Sequence, residues 1–177
     1  MTERKGAARV RNRGGRLGVW LVGARGGLAT TLIAGTTAIA KGLASETGIL
    51  SGTELAEGID LTPLDRILFG GHETREQGLV AAAEEINGES GAIPDPVLRA
   101  IKPKLRAIDR EIRPGRLTGA GAAIARLCAG PGLRDRMGPR RAIDILRGDM
   151  VDFMRRKRLR RLVAVNLAST APLSRPH

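Results

Sequence analysis

The clearest chemical signal in the sequence is the glycine-rich stretch at residues 23–29, which reads G-A-R-G-G-L-A. Gly23, Gly26 and Ala29 form a G-x-x-G-x-x-A pattern, in which glycines permit a tight turn and a close approach of the backbone to a pyrophosphate. The N–H groups of a helix that begins there can bind the phosphates without a cationic side chain. The pattern therefore predicts a dinucleotide-binding turn made by Gly23, Ala24, Arg25, Gly26, Gly27, Leu28 and Ala29.

The residues on either side of this turn predict the strand and the helix that hold it. Residues 17–22 are an apolar run with β-branched and aromatic members, as in a strand buried on both faces. The helix after the turn is expected to end near Lys41, and no Gly-Lys-Ser/Thr ending is present, which excludes a P-loop. A plain strand-to-helix turn is the alternative to dinucleotide binding. The face predicted to pack consists of Leu28, Leu32, Gly35 and Ile39, which recur at helical spacing.

Other reactive side chains are scarce. The single cysteine, Cys128, excludes an internal disulfide, and with only His72 and His177 as histidines no metal site is expected. Cys128 lies in an apolar helical pattern, which favours a packing role over a nucleophilic one. The sequence therefore assigns no catalytic residue to this chain.

The net charge of +12 over 177 residues is unevenly distributed, with an acidic region at 46–95 and basic clusters at 4–16, 99–116 and 126–161. Such clusters can indicate an anionic partner such as nucleic acid. An aromatic content of 2%, without tyrosine, argues against stacking on bases, so a nucleic-acid partner is not expected. The absence of a membrane-length apolar run and of a cleavable leader predicts a cytoplasmic protein with no membrane partner.

The first part of the chain predicts an arm, a loop and a second strand. Residues 1–16 are polar and basic and are expected to form a disordered arm, which leaves 17–177 as one domain. Residues 43–63 contain scattered glycines without periodicity and predict a loop. The apolar run at 65–69 then predicts a second strand, which ends in Gly-Gly-His-Glu at 70–73.

Three longer helices are predicted after the second strand. The first begins with a capping box made by Thr74 and Gln77 and closes at residues 87–88. The second contains Pro103, which should kink it, and the third begins after Pro139. The positions expected to face the core are Leu79, Ala83 and Ile86 in the first, Leu98, Ile101, Leu105 and Ile108 in the second, and Ile143, Leu146, Met150 and Met154 in the third.

A last strand is predicted in the β-rich run at residues 161–170, which passes into small polar residues and follows a short helix predicted at 119–129. Asn166, Ser169 and Thr170 would then lie outside the carboxyl ends of parallel strands, where doubly wound folds bind cofactors. An ordinary polar strand-to-loop junction is the alternative. The predicted fold class is α/β: a Rossmann-like, doubly wound parallel sheet that is incomplete and carries a helical insertion between the second and later strands.

Three motifs in order give the chain a family resemblance. G-A-R-G-G-L-A at 23–29, G-G-H-E-T-R at 70–75 and V-N-L-A-S-T at 165–170 together resemble the N-terminal NAD-binding region of the myo-inositol-1-phosphate synthase family, also called inositol-3-phosphate synthases. The resemblance implies an isomerase that converts D-glucose 6-phosphate into 1D-myo-inositol 3-phosphate, for inositol and phospholipid biosynthesis. In such enzymes NAD oxidises the sugar, the ring closes by an internal aldol step, and NADH reduces the ketone.

The resemblance also implies roles for individual residues. Gly23, Gly26, Gly27 and Ala29 match the turn that holds the pyrophosphate. Glu73 matches the acidic residue that binds the adenosine ribose, and a carboxylate there repels a 2′-phosphate, which favours NAD over NADP. The residues that match the nicotinamide side lie at 166–170 and include Asn166, Ser169 and Thr170.

The chain also departs from the family pattern. His72 and Thr74 stand where tryptophan and isoleucine are more usual, beside the acidic residue and on the adenine side. Glu46 is a rival for the ribose role, because it follows the turn by about 20 residues. Glu73 is preferred over Glu46, because a strand-like run precedes Glu73 and none precedes Glu46.

The resemblance implies that a further domain completes the enzyme. The family's catalytic lysines, its phosphate-binding residues and its tetramer-forming sheet belong to a part that would follow Thr170. The sequence therefore predicts a truncated NAD-binding domain that is inactive alone, that binds glucose 6-phosphate only when joined to a catalytic domain, and that associates with a missing half or with other copies. The alternatives are a fragment of another NAD-dependent oxidoreductase and a non-catalytic anion- or nucleic-acid-binding protein that uses its arginine-rich surface.

Overall fold

The computed structural model describes residues 15–116 and 138–168. The predicted arm up to residue 14, the predicted helix at 119–129, Ser169 and Thr170 lie outside the described residues. Three short 3-10 turns, Leu50–Gly52, Glu54–Ala56 and Leu64–Arg66, occupy the segment after the first helix. The helices and strands are β1 (Leu17–Val22), α1 (Gly27–Ala40), β2 (Ile67–Glu73), α2 (Leu79–Ser90), α3 (Asp95–Asp109), β3 (Ile112–Pro114), α4 (Pro139–Lys157) and β4 (Arg161–Asn166).

The described strands form one parallel sheet in the order β3-β2-β1-β4. β1 pairs along its whole length with a strand on each side, so that Trp20 lies between Gly70 of β2 and Ala164 of β4. From β1 the chain adds β2 and β3 on one side and β4 on the other, as in a Rossmann-like fold. The predicted α/β class is therefore confirmed, and the reversal of strand order lies at β1.

One face of the sheet is covered by α1, α2 and α3. Leu21 of β1 and Phe69 of β2 pack there in a single cluster with Ile33 of α1, Leu79 of α2 and Ile101 of α3, and all of them are buried. Burial of a leucine, isoleucine or phenylalanine side chain contributes about 1.5–3 kcal/mol. Burial of this cluster is therefore the main contribution that holds the first strand and its helix in place.

The other face of the sheet is covered by α4. Trp20 and Phe153 are completely buried there, with Leu159 beside them. The two aromatic rings meet edge to face, with centroids 5.3 Å apart and an interplanar angle of 64°. Helices on both faces make the sheet doubly wound, as predicted, and explain why β1 reads as a continuous apolar run.

The predicted packing face of α1 was wrong. Leu28 and Leu32 are 68% and 43% exposed, because a neighbouring face of smaller side chains packs on the sheet instead. Alanines and threonines let the helix axis approach the sheet closely, and interiors favour such dense contact. The buried residues of α1 are Ala29, Thr30, Ile33, Ala34, Thr37 and Ala38.

The predicted bounds of α4 are confirmed, and its predicted buried face is partly wrong. Ile143 is 62% exposed, whereas Ala142 and Phe153 are buried. Leu146, Met150 and Met154 are partly buried. Among the described residues, no helix combines the length and the apolar character needed to cross a membrane.

The start of α2 lies later than the predicted capping box. Gly78 is the N-cap and makes no side-chain capping bond, while Thr74 belongs to the preceding loop. The N–H of Leu79 instead donates to Oδ1 of Asp109, at 3.1 Å, at the end of α3. The helix also continues past residues 87–88 and ends at Gly91, whose φ of 65° suits glycine.

The helices α2 and α3 form the crossover that joins β2 to β3. The predicted core positions of α3, which are Leu98, Ile101, Leu105 and Ile108, are all buried, and the helix continues through Pro103. β3 was not predicted. Because it pairs only with the last residues of β2, from Ile112 opposite Gly71, it is too short to leave an apolar run in the sequence.

Candidate functional site

The glycine-rich turn joins the carboxyl end of β1 to the start of α1. The N–H groups of Gly23 and Ala24 both donate to the carbonyl of His72, at 2.9 and 3.1 Å, which fastens the turn to β2. Gly23 has a φ of 85°, and a Cβ there would lie 3.0 Å from the backbone nitrogen of Ala168. Glycine is required at this position both for its conformation and for the approach of the chain after β4.

The start of α1 leaves main-chain donors open. Gly26 is the N-cap and has no side chain, so the first-turn N–H groups of Gly27, Leu28 and Ala29 have no acceptor within the helix. Gly27 and Leu28 are exposed, whereas Ala24 and Ala29 are buried and pack the helix on the sheet. The turn therefore offers backbone N–H groups and the positive end of a helix dipole to an anion.

Glu73 holds the turn from the neighbouring strand. It is the last residue of β2, is only 6% exposed, and accepts three main-chain hydrogen bonds. Its Oε2 accepts from the N–H of Arg25 at 2.8 Å, and its Oε1 accepts from those of Thr74 and Arg75 at 2.7 and 3.1 Å. The carboxylate thus ties the β1–α1 turn to the β2–α2 loop, in addition to any contact with a ligand.

A second link across the same region runs through Arg25. Its Nε donates to Oδ1 of Asp109 at 2.8 Å, and its Nη1 donates to the carbonyl of Arg75 at 3.1 Å. The same Asp109 oxygen accepts from the N–H of Leu79. Arg25 therefore connects the turn to the end of α3 and to the loop after β2, and through Asp109 to the start of α2. Its charge is neutralised by the carboxylate of Asp109. Asp109 was not identified from the sequence, since no local pattern brings it to the turn.

β4 closes the other side of the turn. Asn166 lies opposite Val22 at the carboxyl end of the sheet, and the N–H of Leu167 donates to the carbonyl of Val22 at 2.8 Å. The Asn166 side-chain oxygen accepts from the N–H of Ala168 at 3.1 Å, which turns the chain towards Gly23. Glu73 and Asn166 therefore flank the glycine turn on opposite sides.

This arrangement forms a crevice of the kind that binds dinucleotides. The strand order reverses at β1, and in open α/β sheets ligands lie outside the carboxyl ends of the strands at such a reversal. The rival acid, Glu46, lies in the loop after α1, beyond the far end of a helix about 20 Å long. The open N–H groups at the start of α1 and the free space around Gly27 fit a pyrophosphate at the turn.

His72 lies next to Glu73 but points away from the crevice. Its ring is 2% exposed, and its Nδ1 lies 2.9 Å from Nε1 of Trp20, while its Nε2 lies 3.0 Å from Oδ2 of Asp149 in α4. An indole N–H can only donate, so Nδ1 is the acceptor and the neutral ring carries its proton on Nε2. Burial lowers the pKa of His72, and the nearby guanidinium groups of Arg116 and Arg113 act in the same direction against Asp149. His72 thus links the sheet to α4.

The basic end of α4 is tied to the protein by ion pairs. Arg156 and Lys157 contact the two carboxylate oxygens of Glu111 at 2.7 and 2.6 Å, and Arg156 also contacts Asp152 at 2.7 Å. Burial opposes ionisation of Glu111, but the hydrogen bonds from Lys157 and Arg156 outweigh it and lower the pKa of Glu111. These cations are therefore largely occupied within the chain.

Comparison with known proteins identifies the family. Residues 17–177 match the model of an NAD-binding domain described as myo-inositol-1-phosphate synthase. The chain belongs to the myo-inositol-1-phosphate synthase family. It is 31% identical to inositol-3-phosphate synthase 1 of Bacteroides thetaiotaomicron, in an alignment that covers 92% of this chain and 39% of that relative. The chain therefore spans about two fifths of the length of this relative.

Membership of the myo-inositol-1-phosphate synthase family supports NAD as the cofactor, as the sequence predicted. The structure brings the glycine turn, Glu73 and Asn166 together at one edge of the sheet. It adds Asp109 and Arg75 to that neighbourhood, through contacts with Arg25 that the sequence did not predict.

Proposed function

We propose that this chain is the NAD-binding part of an inositol-3-phosphate synthase, which converts D-glucose 6-phosphate into 1D-myo-inositol 3-phosphate. The observation that carries the proposal is the turn at residues 23–29, whose open N–H groups lie between Glu73 and Asn166 where the strand order reverses. The family match over residues 17–177 supports it.

The described residues suggest how NAD would be held. The N–H groups of Gly27, Leu28 and Ala29 would bind the pyrophosphate, and the buried Ala24 and Ala29 keep the helix close to the strand. Oε2 of Glu73 accepts a hydrogen bond from the N–H of Arg25 and retains capacity for a ribose hydroxyl. Asn166, with Ser169 and Thr170 beyond the described residues, would face the nicotinamide side.

The proposed reaction divides between NAD and protein groups. Bound NAD would supply a hydride acceptor for the sugar and return the hydride once the ring has closed. The residues described above would hold and orient it, while ring closure requires a base and cations that hold the substrate phosphate and stabilise an oxyanion. We infer that those groups come from elsewhere in the complete enzyme.

The positions of the described lysines support this inference. Lys41, Lys104 and Lys157 line a cavity that includes Ile67, the first residue of β2, whereas Glu73 ends that strand next to the turn. Lys102 is paired with Glu84 at 2.6 Å. Arginines remain protonated and are poor bases. The chain alone is therefore expected to bind NAD without converting glucose 6-phosphate, and to associate with a catalytic half or with further copies.

Titration with NAD tests the binding part of the proposal. The full chain should bind NAD saturably in a calorimeter, and Gly26→Val should abolish binding, because a Cβ on Gly26 would lie 3.2 Å from the carbonyl oxygen of Gly23, within the turn. Gly35→Val is the matched control, since a Cβ there meets nothing within 4 Å. Equal affinity for the two variants would remove the turn from the site.

An activity assay tests whether the residues that close the ring are absent from this chain. The chain with NAD and D-glucose 6-phosphate should yield no inositol phosphate above background, and the same mixture should become active when a separately expressed catalytic domain of the family is added. Turnover by the chain alone would show that its own residues form a complete site. The predicted cytoplasmic location is a separate expectation, which microscopy of the tagged chain would check.

A further inference from the structure

We propose that Arg75 supplies a positive charge to the pyrophosphate of bound NAD, across the glycine turn from the start of α1. This inference deepens the proposed function, since it assigns a further binding residue to the same site. It differs from the expectation drawn from the sequence, in which the helix end binds the phosphates without a cationic side chain.

The guanidinium of Arg75 lies close to the glycine turn. Arg75 lies in the exposed loop after β2, two residues beyond Glu73. An ideal Cβ built on Gly26 would lie 3.5 Å from Nη2 of Arg75, with the carbonyl oxygen of Gly23 the nearest other atom at 3.2 Å. The guanidinium therefore lies over Gly26, the residue that precedes the open N–H groups of α1.

The neighbouring charged side chains, Arg25 and Glu73, already have partners within the protein. The side chain of Arg25 is paired with Asp109, and the carboxylate of Glu73 accepts main-chain N–H groups, one of them from Arg75 itself. The side chain of Arg75 makes no hydrogen bond or ion pair with the described part of the chain. It is thus a positive charge that the neighbouring carboxylates do not hold.

Two hydrogen bonds hold the backbone of Arg75 in place. Its N–H donates to Oε1 of Glu73 at 3.1 Å, and its carbonyl accepts from Nη1 of Arg25 at 3.1 Å. The loop is therefore fixed on both sides of the residue, and the side chain starts from a defined point beside the turn. A planar guanidinium fits phosphate oxygens with two parallel donors, whereas a lysine offers only a point charge.

The pyrophosphate is a better assignment than a 2′-phosphate of NADP. The guanidinium is located by its approach to Gly26, in the middle of the turn, while the carboxylate of Glu73 lies at the end of β2. A group over the turn contacts an anion that NAD and NADP share. Removal of Arg75 should therefore weaken both dinucleotides by a similar factor.

The test compares Arg75→Ala, Arg75→Lys and Arg99→Ala by calorimetry of the full chain. Arg99→Ala is the control, because Arg99 is exposed on α3 and makes no hydrogen bond or ion pair with the described part of the chain, so the substitution removes the same charge away from the turn. Arg75→Ala should weaken NAD, NADP and ADP-ribose about tenfold, as expected for loss of a charge-assisted hydrogen bond. Arg75→Lys should recover part of the loss, and the affinity of the unaltered chain should fall more steeply with salt than that of Arg75→Ala.

The outcomes separate this inference from the proposed function. If the unaltered chain does not bind NAD, both are refuted. If it binds NAD and Arg75→Ala binds equally well, only the role of Arg75 is refuted. A loss confined to NADP would assign Arg75 to the 2′-phosphate and would overturn the inference, as would an equal loss in Arg99→Ala. Urea unfolding should give the same stability for all three variants, since the Arg75 side chain holds nothing in the free protein.

Discussion

Replacement of Glu73 by glutamine should loosen the turn as well as weaken NAD binding. Glutamine keeps one oxygen, which can still accept from Thr74 and Arg75, but its amide group then faces the N–H of Arg25, which is 2.8 Å from Oε2. Two donors would meet in a site that is only 6% exposed. Loss of a hydrogen bond to a charged group costs about 1.5–3 kcal/mol.

The substitution should be measurable in two assays, because Glu73 holds the turn in the free protein and would accept from a ribose hydroxyl in the complex. Urea denaturation followed by circular dichroism should show a loss of roughly 2 kcal/mol, a large share of the 5–15 kcal/mol typical of a domain. Calorimetry should show at least a tenfold loss of NAD affinity, since about 1.4 kcal/mol corresponds to a factor of ten. A residue that only binds ribose would lower the affinity and leave the stability of the free protein unchanged.

Glu76→Gln is the matched control for this experiment. Glu76 is exposed in the same loop, and it makes no hydrogen bond or ion pair with the described residues. The control removes an equal charge and should change stability by less than about 0.5 kcal/mol. If Glu73→Gln were as stable as Glu76→Gln, the idea that Glu73 clamps the turn would be refuted.

Substitutions of His72, Phe153 and Glu73 give three further tests. The contribution of His72 to the free energy of unfolding should be complete above about pH 6.5 and should be lost as the pH falls below it, because the unfolded chain binds a proton at His72 that burial disfavours in the folded protein. Urea titrations from pH 8 to 5.5 should therefore give a flatter profile for His72→Gln. Phe153→Ala should cost about 3–5 kcal/mol in the same denaturation assay, since the ring is completely buried against Trp20, whereas Val151→Ala, at an exposed position of the same helix, should cost much less. Glu73→Ala should weaken NAD and reduce discrimination against NADP in competition titrations, while Glu46→Ala should do neither, and the reverse pattern would assign the ribose to Glu46.

The local signals in the sequence were sufficient for the central unit of the fold. β1, the glycine turn and α1 are contiguous, and each leaves its own pattern, so their order and approximate bounds followed from the residues alone. The neighbourhood of Glu73 and Asn166 also followed, because parallel strands bring all their carboxyl ends to one edge.

The parts that could not be predicted depend on distant contacts. Leu28 and Leu32 were predicted to pack because they recur at helical spacing with Gly35 and Ile39, but the space above the sheet suits alanine and threonine. The start of α2 is stabilised by Asp109, which is 30 residues away in the chain, so no local capping pattern could indicate it. Arg25 and Asp109 are 84 residues apart in the chain, so no local pattern could indicate their contact either.

The burial of Trp20 gives the protein an intrinsic optical probe. The sequence contains one tryptophan and no tyrosine, so excitation of indole fluorescence reports on this single side chain. Its ring lies between Phe153 of α4 and the imidazole of His72, with no exposure to solvent. Its emission should therefore lie at short wavelength in the folded state and shift to the red when α4 separates from the sheet. Because Trp20 lies in β1, three residues before the glycine turn, a fluorescence spectrum can follow the docking of α4 and the integrity of the nucleotide-binding strand in the same sample, without a label.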